Sequence, residues 1–125
     1  MKIQENYFNK KLIGFDHEFL ELKNLVDNNN LQSLEKTSKT HPNLYPIEKK
    51  LTQFGWDSKK CNGHNSEEIF NKINRRNKNK PFALIAKTIK GYPISYMMNK
   101  PIWHYKSPDK KQYQKAIMEL DKKKI

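Results

Sequence analysis

Asn28-Asn29-Asn30 is the first group of residues in this chain whose types and spacing suit a piece of chemistry. Three amides stand in a row after the apolar pair Leu25-Val26 and Asp27, and Leu31 and Gln32 follow. An amide oxygen is a hard, neutral ligand of the kind Mg²⁺ accepts, since that ion holds few protein oxygens and takes the rest from phosphate and water. Open α/β sheets gather their ligands just beyond the carboxyl ends of strands. A strand ending near Val26 would therefore put these amides where a phosphate and its cation are held. The same run also reads as a turn, because asparagine bonds nearby backbone and tolerates the left-handed conformation. The run alone leaves both readings open. Cys61-x-x-His64 offers one thiol and one imidazole, too small a set for zinc, which takes four ligands. His64 follows Gly63 and reads as turn structure.

The elements that must position these residues can be read from periodicity. Leu12, Phe15, Phe19 and Leu22 fall at helical spacing near the N-terminus. The stretch 33–43 is polar and predicts a loop. Leu44, Ile47, Leu51 and Phe54 predict an amphipathic helix over 44–54, ended by Gly55. Residues 56–61 read as a strand with a polar middle, and 62–65 as a turn. Asn65 or Ser66 caps a helix over 66–76, with Glu67 and Glu68 in its first turn and Ile69, Phe70 and Ile73 facing the core. Residues 82–86, Phe-Ala-Leu-Ile-Ala, form a short continuous apolar run, expected as a strand buried on both faces. Strand, helix and strand make a crossover unit, so the expected class is α/β, a parallel sheet flanked by helices. The segment 87–108 has little periodicity, and long segments of that kind at strand ends are often functional. Met97 and Met98 within it read as gap-fillers. Ser107 then caps, Pro108 takes the first helical position, and Tyr113, Ala116, Ile117 and Leu120 stripe a last helix. No internal repeat is visible.

At 125 residues the chain is one domain or a piece of one. Hydrophobic residues are 35% and the mean hydropathy is -1.02, so the core must be economical. No stretch approaches the roughly 18 apolar residues of a membrane span. The first twenty residues hold no apolar run of the secretory kind. The one cysteine, Cys61, cannot close an internal disulfide, which suits a reducing cytosol and gives the expectation of a cytoplasmic protein. The net charge is +12 and the pI about 9.7, which raises the prior for polyanions. Arg75 and Arg76 are the chain's two arginines; its other basic residues are lysines. Sequence-reading surfaces favour arginine's planar fork, so no specific nucleic-acid partner is expected.

Residues 82–117, from Phe82 through Lys87-Thr88-Ile89-Lys90-Gly91, Met97-Met98 and Trp103-His104 into the last helix, resemble the end of the cofactor-diphosphate domain of transketolases, especially the enzymes divided into two subunits. Phe54-Gly55-Trp56 followed by Asn62-Gly63-His64 is similar to that family's Phe-Gly-Trp strand and Asp-Gly-His block. Val26–Ser33 is similar to its metal-binding turn. The three blocks keep the family's order and spacing from about residue 22 to 120, leaving 1–21 as an unassigned segment. The resemblance implies a partial thiamine diphosphate-binding fold over 22–125. It implies that Asn29 gives Mg²⁺ its side-chain oxygen and Leu31 its carbonyl. Lys90 would approach the cofactor diphosphate, and Gly91 would let the loop pass close to it. His104 would be catalytic, lying between diphosphate and sugar as hydrogen-bond donor and proton handler.

Departures from the pattern matter as much. The family's Gly-Asp-Gly turn, whose aspartate is a further Mg²⁺ ligand, has no counterpart in residues 1–28, and Asn62 stands where the family has aspartate. The upstream substrate histidines and the aminopyrimidine-binding domain are also without counterpart. The expectation is a C-terminal portion of the transketolase amino-terminal domain, serving two-carbon ketol transfer between sugar phosphates, inactive alone. Its expected partners are a C-terminal transketolase subunit or a missing upstream segment, and a sugar phosphate substrate. The alternatives are an inactive remnant and a basic polyanion-binding module.

Overall fold

The computed structural model describes residues 23–122. The helical stripe expected at Leu12, Phe15, Phe19 and Leu22, and the unassigned segment 1–21, lie outside the described residues. In chain order the elements are β1 (Lys23–Asn28), β2 (Leu31–Gln32), β3 (Glu35–Lys36), α1 (Thr37–Thr40), α2 (Ile47–Gln53), β4 (Asp57–Asn62), α3 (Ser66–Asn74), β5 (Phe82–Lys87), a 3-10 turn (Pro101–His104) and α4 (Lys110–Lys122). They fall into two compact units. One holds the described chain up to Asp27 together with Pro46–Ala86, and the other holds Asn28–Tyr45 and the chain from Lys87 onward.

The first unit is a three-stranded parallel sheet in the order β1-β5-β4, flanked by helices, so the expected α/β class stands. β5 occupies the centre because its sequence allows it. Phe82, Ala83, Leu84, Ile85 and Ala86 are all buried, and apolar side chains on both faces fit only a strand covered on both. Cys61, Phe82, Leu84 and Ala86 form the core cluster, with Ile69 and Ile73 of α3 packed on it. Phe70, expected to face that core, is instead 66% exposed. Ile69 and Ile73 stand four apart and share a face, while Phe70 is turned about 100° away from Ile69. α3 starts where its cap predicts: Asn65 Oδ1 accepts from Glu68 N at 2.9 Å, and Glu68 Oε2 accepts from Asn62 N at 3.1 Å. It ends at Asn74, so Arg75 and Arg76 lie beyond it.

The helix expected over 44–54 is shorter, Ile47–Gln53, with Pro46 at its N-cap. Proline disfavours helical geometry in the residue before it, which keeps Leu44 and Tyr45 out. Its predicted stop is observed. Phe54 is the C-cap and Gly55 follows at φ 86°, the left-handed region glycine enters freely. β4 carries the polar-centred strand one residue later than expected, and only Cys61 in it is buried.

The second unit corrects two expectations. Residues 33–43 are not simply loop: β2 and β3 pair antiparallel, Leu31 with Lys36 and Gln32 with Glu35, and α1 follows at once. Ser33, at φ 53°, makes the tight reversal that alternation could not reveal in so short a hairpin. The last helix is capped by Asp109, not Ser107. Asp109 Oδ1 accepts from Gln112 N at 2.8 Å, and Gln112 Oε1 accepts from Asp109 N at 3.0 Å, a reciprocal box. Its expected apolar stripe is mostly outward. Ala116 is buried, whereas Tyr113, Ile117 and Leu120 are exposed. No helix among the described residues is long and apolar enough to cross a membrane.

Candidate functional site

The ends of β1 and β5 are tied together: Thr88 N donates to the Asn28 carbonyl at 3.3 Å. Just past these carboxyl ends lies a cavity of about 560 Å³, lined by Asn28, Asn29, Asn30, Leu31, Lys36, Lys87, Thr88, Ile89 and Asn99. Asn28 ends β1 and Lys87 ends β5, and strand ends of this kind are where open α/β sheets gather ligands.

The asparagine run builds one wall, and each amide oxygen is already an acceptor. Asn28 Oδ1 takes the Tyr45 hydroxyl at 3.0 Å. Asn29 Oδ1 takes Leu31 N at 2.8 Å, closing a turn on its own backbone. Asn30 stands at φ 59°; its carbonyl accepts from Thr37 N at 3.0 Å and its Oδ1 from Ser38 N at 2.9 Å. Asn30 therefore caps α1 from outside that helix. The turn reading of this run holds: the amides shape a loop, and that loop lines a cavity.

Of the sequence-predicted site residues, Asn29 and Leu31 line this cavity, while Lys90, Gly91 and His104 are not among its lining residues. Lys90 adjoins it through the main chain, its carbonyl accepting from Asn99 N at 2.9 Å. Gly91 has a local reason for being glycine. Its φ is 77°, and a Cβ there would meet the Met97 main chain at 2.7 Å. His104 is exposed in the 3-10 turn, its ring edge-on to Tyr105 at 4.7 Å between centroids.

Sequence reasoning missed Lys36, Lys87, Thr88 and Asn99. Lys87 and Thr88 had a signal, because they end the most apolar strand and strand ends are where ligands gather. Lys36 was hidden in a stretch read as loop. Asn99, at φ 57°, gave none.

The remainder of segment 87–108 is held to α4. Ser95 donates twice to Glu119, from its main chain to Oε2 and from its hydroxyl to Oε1, both at 2.6 Å. Tyr96 hydroxyl donates to the Gln112 carbonyl at 2.8 Å, and Trp103 Nε1 donates to the Tyr96 carbonyl at 3.1 Å. Ser95's two hydrogen bonds, side-chain first, hold the Glu119 carboxyl below the usual carboxylate range.

The lining can be tested against the groups a diphosphate cofactor would bring. An anion meets two lysines, a threonine and amides, with no carboxylate among the lining residues. That donor set fits a phosphate. A divalent cation meets two lysine charges and neutral oxygens only. No cluster of three His, Cys, Asp or Glu suited to a metal occurs among the described residues. The lining fits the anion and does not by itself fit the cation.

No family model matches the chain. Over 115 residues, 90% of the chain, it is 33% identical to a subunit of the apulose-4-phosphate transketolase of Phocaeicola vulgatus, covering 40% of that protein. It is 31% identical over 99 residues to the 6-deoxy-6-sulfo-D-fructose transketolase subunit SqwG of a Clostridium species, 78% of the chain and 36% of that subunit. Mouse transketolase is 34% identical over 73 residues, 58% of the chain and 12% of the enzyme. The chain thus spans about two fifths of the length of the first of these relatives, and over most of its own length it is transketolase-like in sequence.

Proposed function

We propose that the chain is a C-terminal portion of a transketolase amino-terminal domain that cradles the diphosphate end of thiamine diphosphate, as part of an assembly for two-carbon ketol transfer between sugar phosphates. The observation that carries this reading is the cavity past the paired ends of β1 and β5, with Lys36, Lys87, Thr88 and the asparagine amides in its lining. The relatives' names support the reaction class. Thiamine diphosphate, when bound, supplies the carbanion chemistry, and the protein supplies position and electrostatics. In this reading Lys36 and Lys87 neutralise the diphosphate, Thr88 and the amides orient it by hydrogen bonds, and Lys90 stands close by as further positive charge. His104, on the same segment, is the group that would hold or pass a proton on the sugar side. Asn29 and Leu31 are the oxygens the resemblance offers to Mg²⁺; the charge of the lining weighs against their holding it unaided.

The remainder of the site belongs to other polypeptide: an upstream segment, or a C-terminal transketolase subunit carrying the aminopyrimidine side. The isolated 125-residue chain is therefore expected to transfer no ketol units. Calorimetry should show weak binding of thiamine diphosphate and none of unphosphorylated thiamine, with Lys87→Gln weakening the former about tenfold, the scale of one charge-assisted hydrogen bond. Equal behaviour of the two ligands would remove the diphosphate reading. Where a complementing subunit restores ketol transfer, His104→Ala should lower kcat while His41→Ala should not.

A further inference from the structure

We infer that this cavity takes its oligophosphate anion without a divalent cation, Lys36 and Lys87 standing in for the metal's charge. The inference rests on the phosphate-binding reading above and deepens it.

The argument lies in which end of each amide is left over. A cation site needs amide oxygens, and an anion site needs amide N–H groups. Leu31 N and Ser38 N are main-chain donors that cannot accept, so the atoms they bond to on Asn29 and Asn30 are the oxygens. That fixes the amide orientation at both residues, and each Nδ2 remains a pure donor. Asn28 Oδ1 is engaged by the Tyr45 hydroxyl. Asn29 and Asn30 therefore have their amide oxygens bonded within the protein, which leaves the Nδ2 end of each as its remaining pure donor on a residue that lines the cavity. Lys36 and Lys87 line the same cavity and no carboxylate does. Mg²⁺ is reluctant to give up its waters and is held by carboxylates alongside phosphate. Here it would face two ammonium groups, and amide oxygens that each have one lone pair already engaged. An oligophosphate meets only donors and positive charge.

The probe is inorganic pyrophosphate, titrated calorimetrically into the full chain in EDTA and again with excess Mg²⁺. Binding is expected in EDTA, and excess Mg²⁺ should weaken it, since the metal pairs with pyrophosphate in solution and the lining offers it no carboxylate. Lys87→Gln should weaken binding in EDTA about tenfold by removing a charge-assisted hydrogen bond. Asn29→Asp keeps the acceptor for Leu31 N but adds negative charge; it should weaken binding in EDTA, and added Mg²⁺ should then restore it. Far-UV circular dichroism of both variants keeps unfolding apart from loss of the site. Binding that requires Mg²⁺ in the wild-type chain would overturn this inference and leave the phosphate-binding reading standing. No pyrophosphate binding in either buffer would overturn both. Binding that ignores Lys87→Gln in a folded variant would place the anion elsewhere and overturn the inference.

Discussion

Asn28, Asn29 and Asn30 carry one residue type through three different tasks. Asn28 anchors a tyrosine, Asn29 closes a turn, and Asn30 caps a helix that begins seven residues later. Sequence reading found the run and its place near a strand end. It could not assign the tasks, because Tyr45 and Ser38 reach the run only through the fold. Gly91 is the sharper case. The resemblance assigned it to a close approach of cofactor, whereas the fold gives it a partner of its own, the Met97 main chain. Gly91→Ala must adopt a left-handed φ, which costs about 1–2 kcal/mol for an L-residue, and must also push Met97 away. Urea denaturation should show a loss of more than ~1 kcal/mol, the lower end of that cost. A variant as stable as the parent would mean that the turn readily rearranges.

At the scale of elements, the long segment after β5 owes its order to α4, and much of that order runs through one carboxylate. Glu119 accepts both bonds from Ser95, and its pKa is lowered by them. A carboxylate with a depressed folded pKa adds stability above its unfolded pKa and loses it as pH falls through the folded value. The thermal midpoint should therefore fall as the pH drops below about 4.5, the ordinary value for this group. Glu119→Gln should be less stable than the parent at neutral pH and should lose less of its stability in acid. Parallel acid profiles for the two proteins would show that this latch has no part in holding the segment. Sequence patterning found α4 but misjudged its start. Ser107-Pro108 is a good start signal, yet Asp109 with Gln112 three residues on makes the reciprocal box, and two satisfied N–H groups outweigh one. The stripe Tyr113, Ile117, Leu120 has helical period, but period says only that a face is apolar. What covers that face is a matter for the fold. β5 was legible because five consecutive apolar residues allow only a covered strand. The pairing of β2 with β3 was not, because two residues cannot show alternation.

On the scale of the whole molecule, charge dominates. Twelve net positive charges, carried almost wholly by lysine, predict diffuse attraction to DNA without preference for sequence. Gel shifts should show binding at low salt that fades steeply by physiological ionic strength. A sequence-preferring complex surviving there would favour the polyanion-binding reading instead. The α/β class and the sheet were legible from the strand–helix–strand pattern. The cavity was legible only as a position, since Lys36 and Asn99 enter it from stretches without pattern. The outward side of α4 adds a consequence for anyone handling the protein. Tyr113, Ile117, Met118 and Leu120 are all exposed there, an oily strip on a strongly cationic body. Like charge keeps copies apart at low ionic strength, and salt shortens its reach from about 10 Å at 0.1 M to about 3 Å at 1 M. The same salt that strips phosphate from the lysines therefore lets the oily strips meet, so stock solutions should keep clearest in dilute buffer and cloud first in brine.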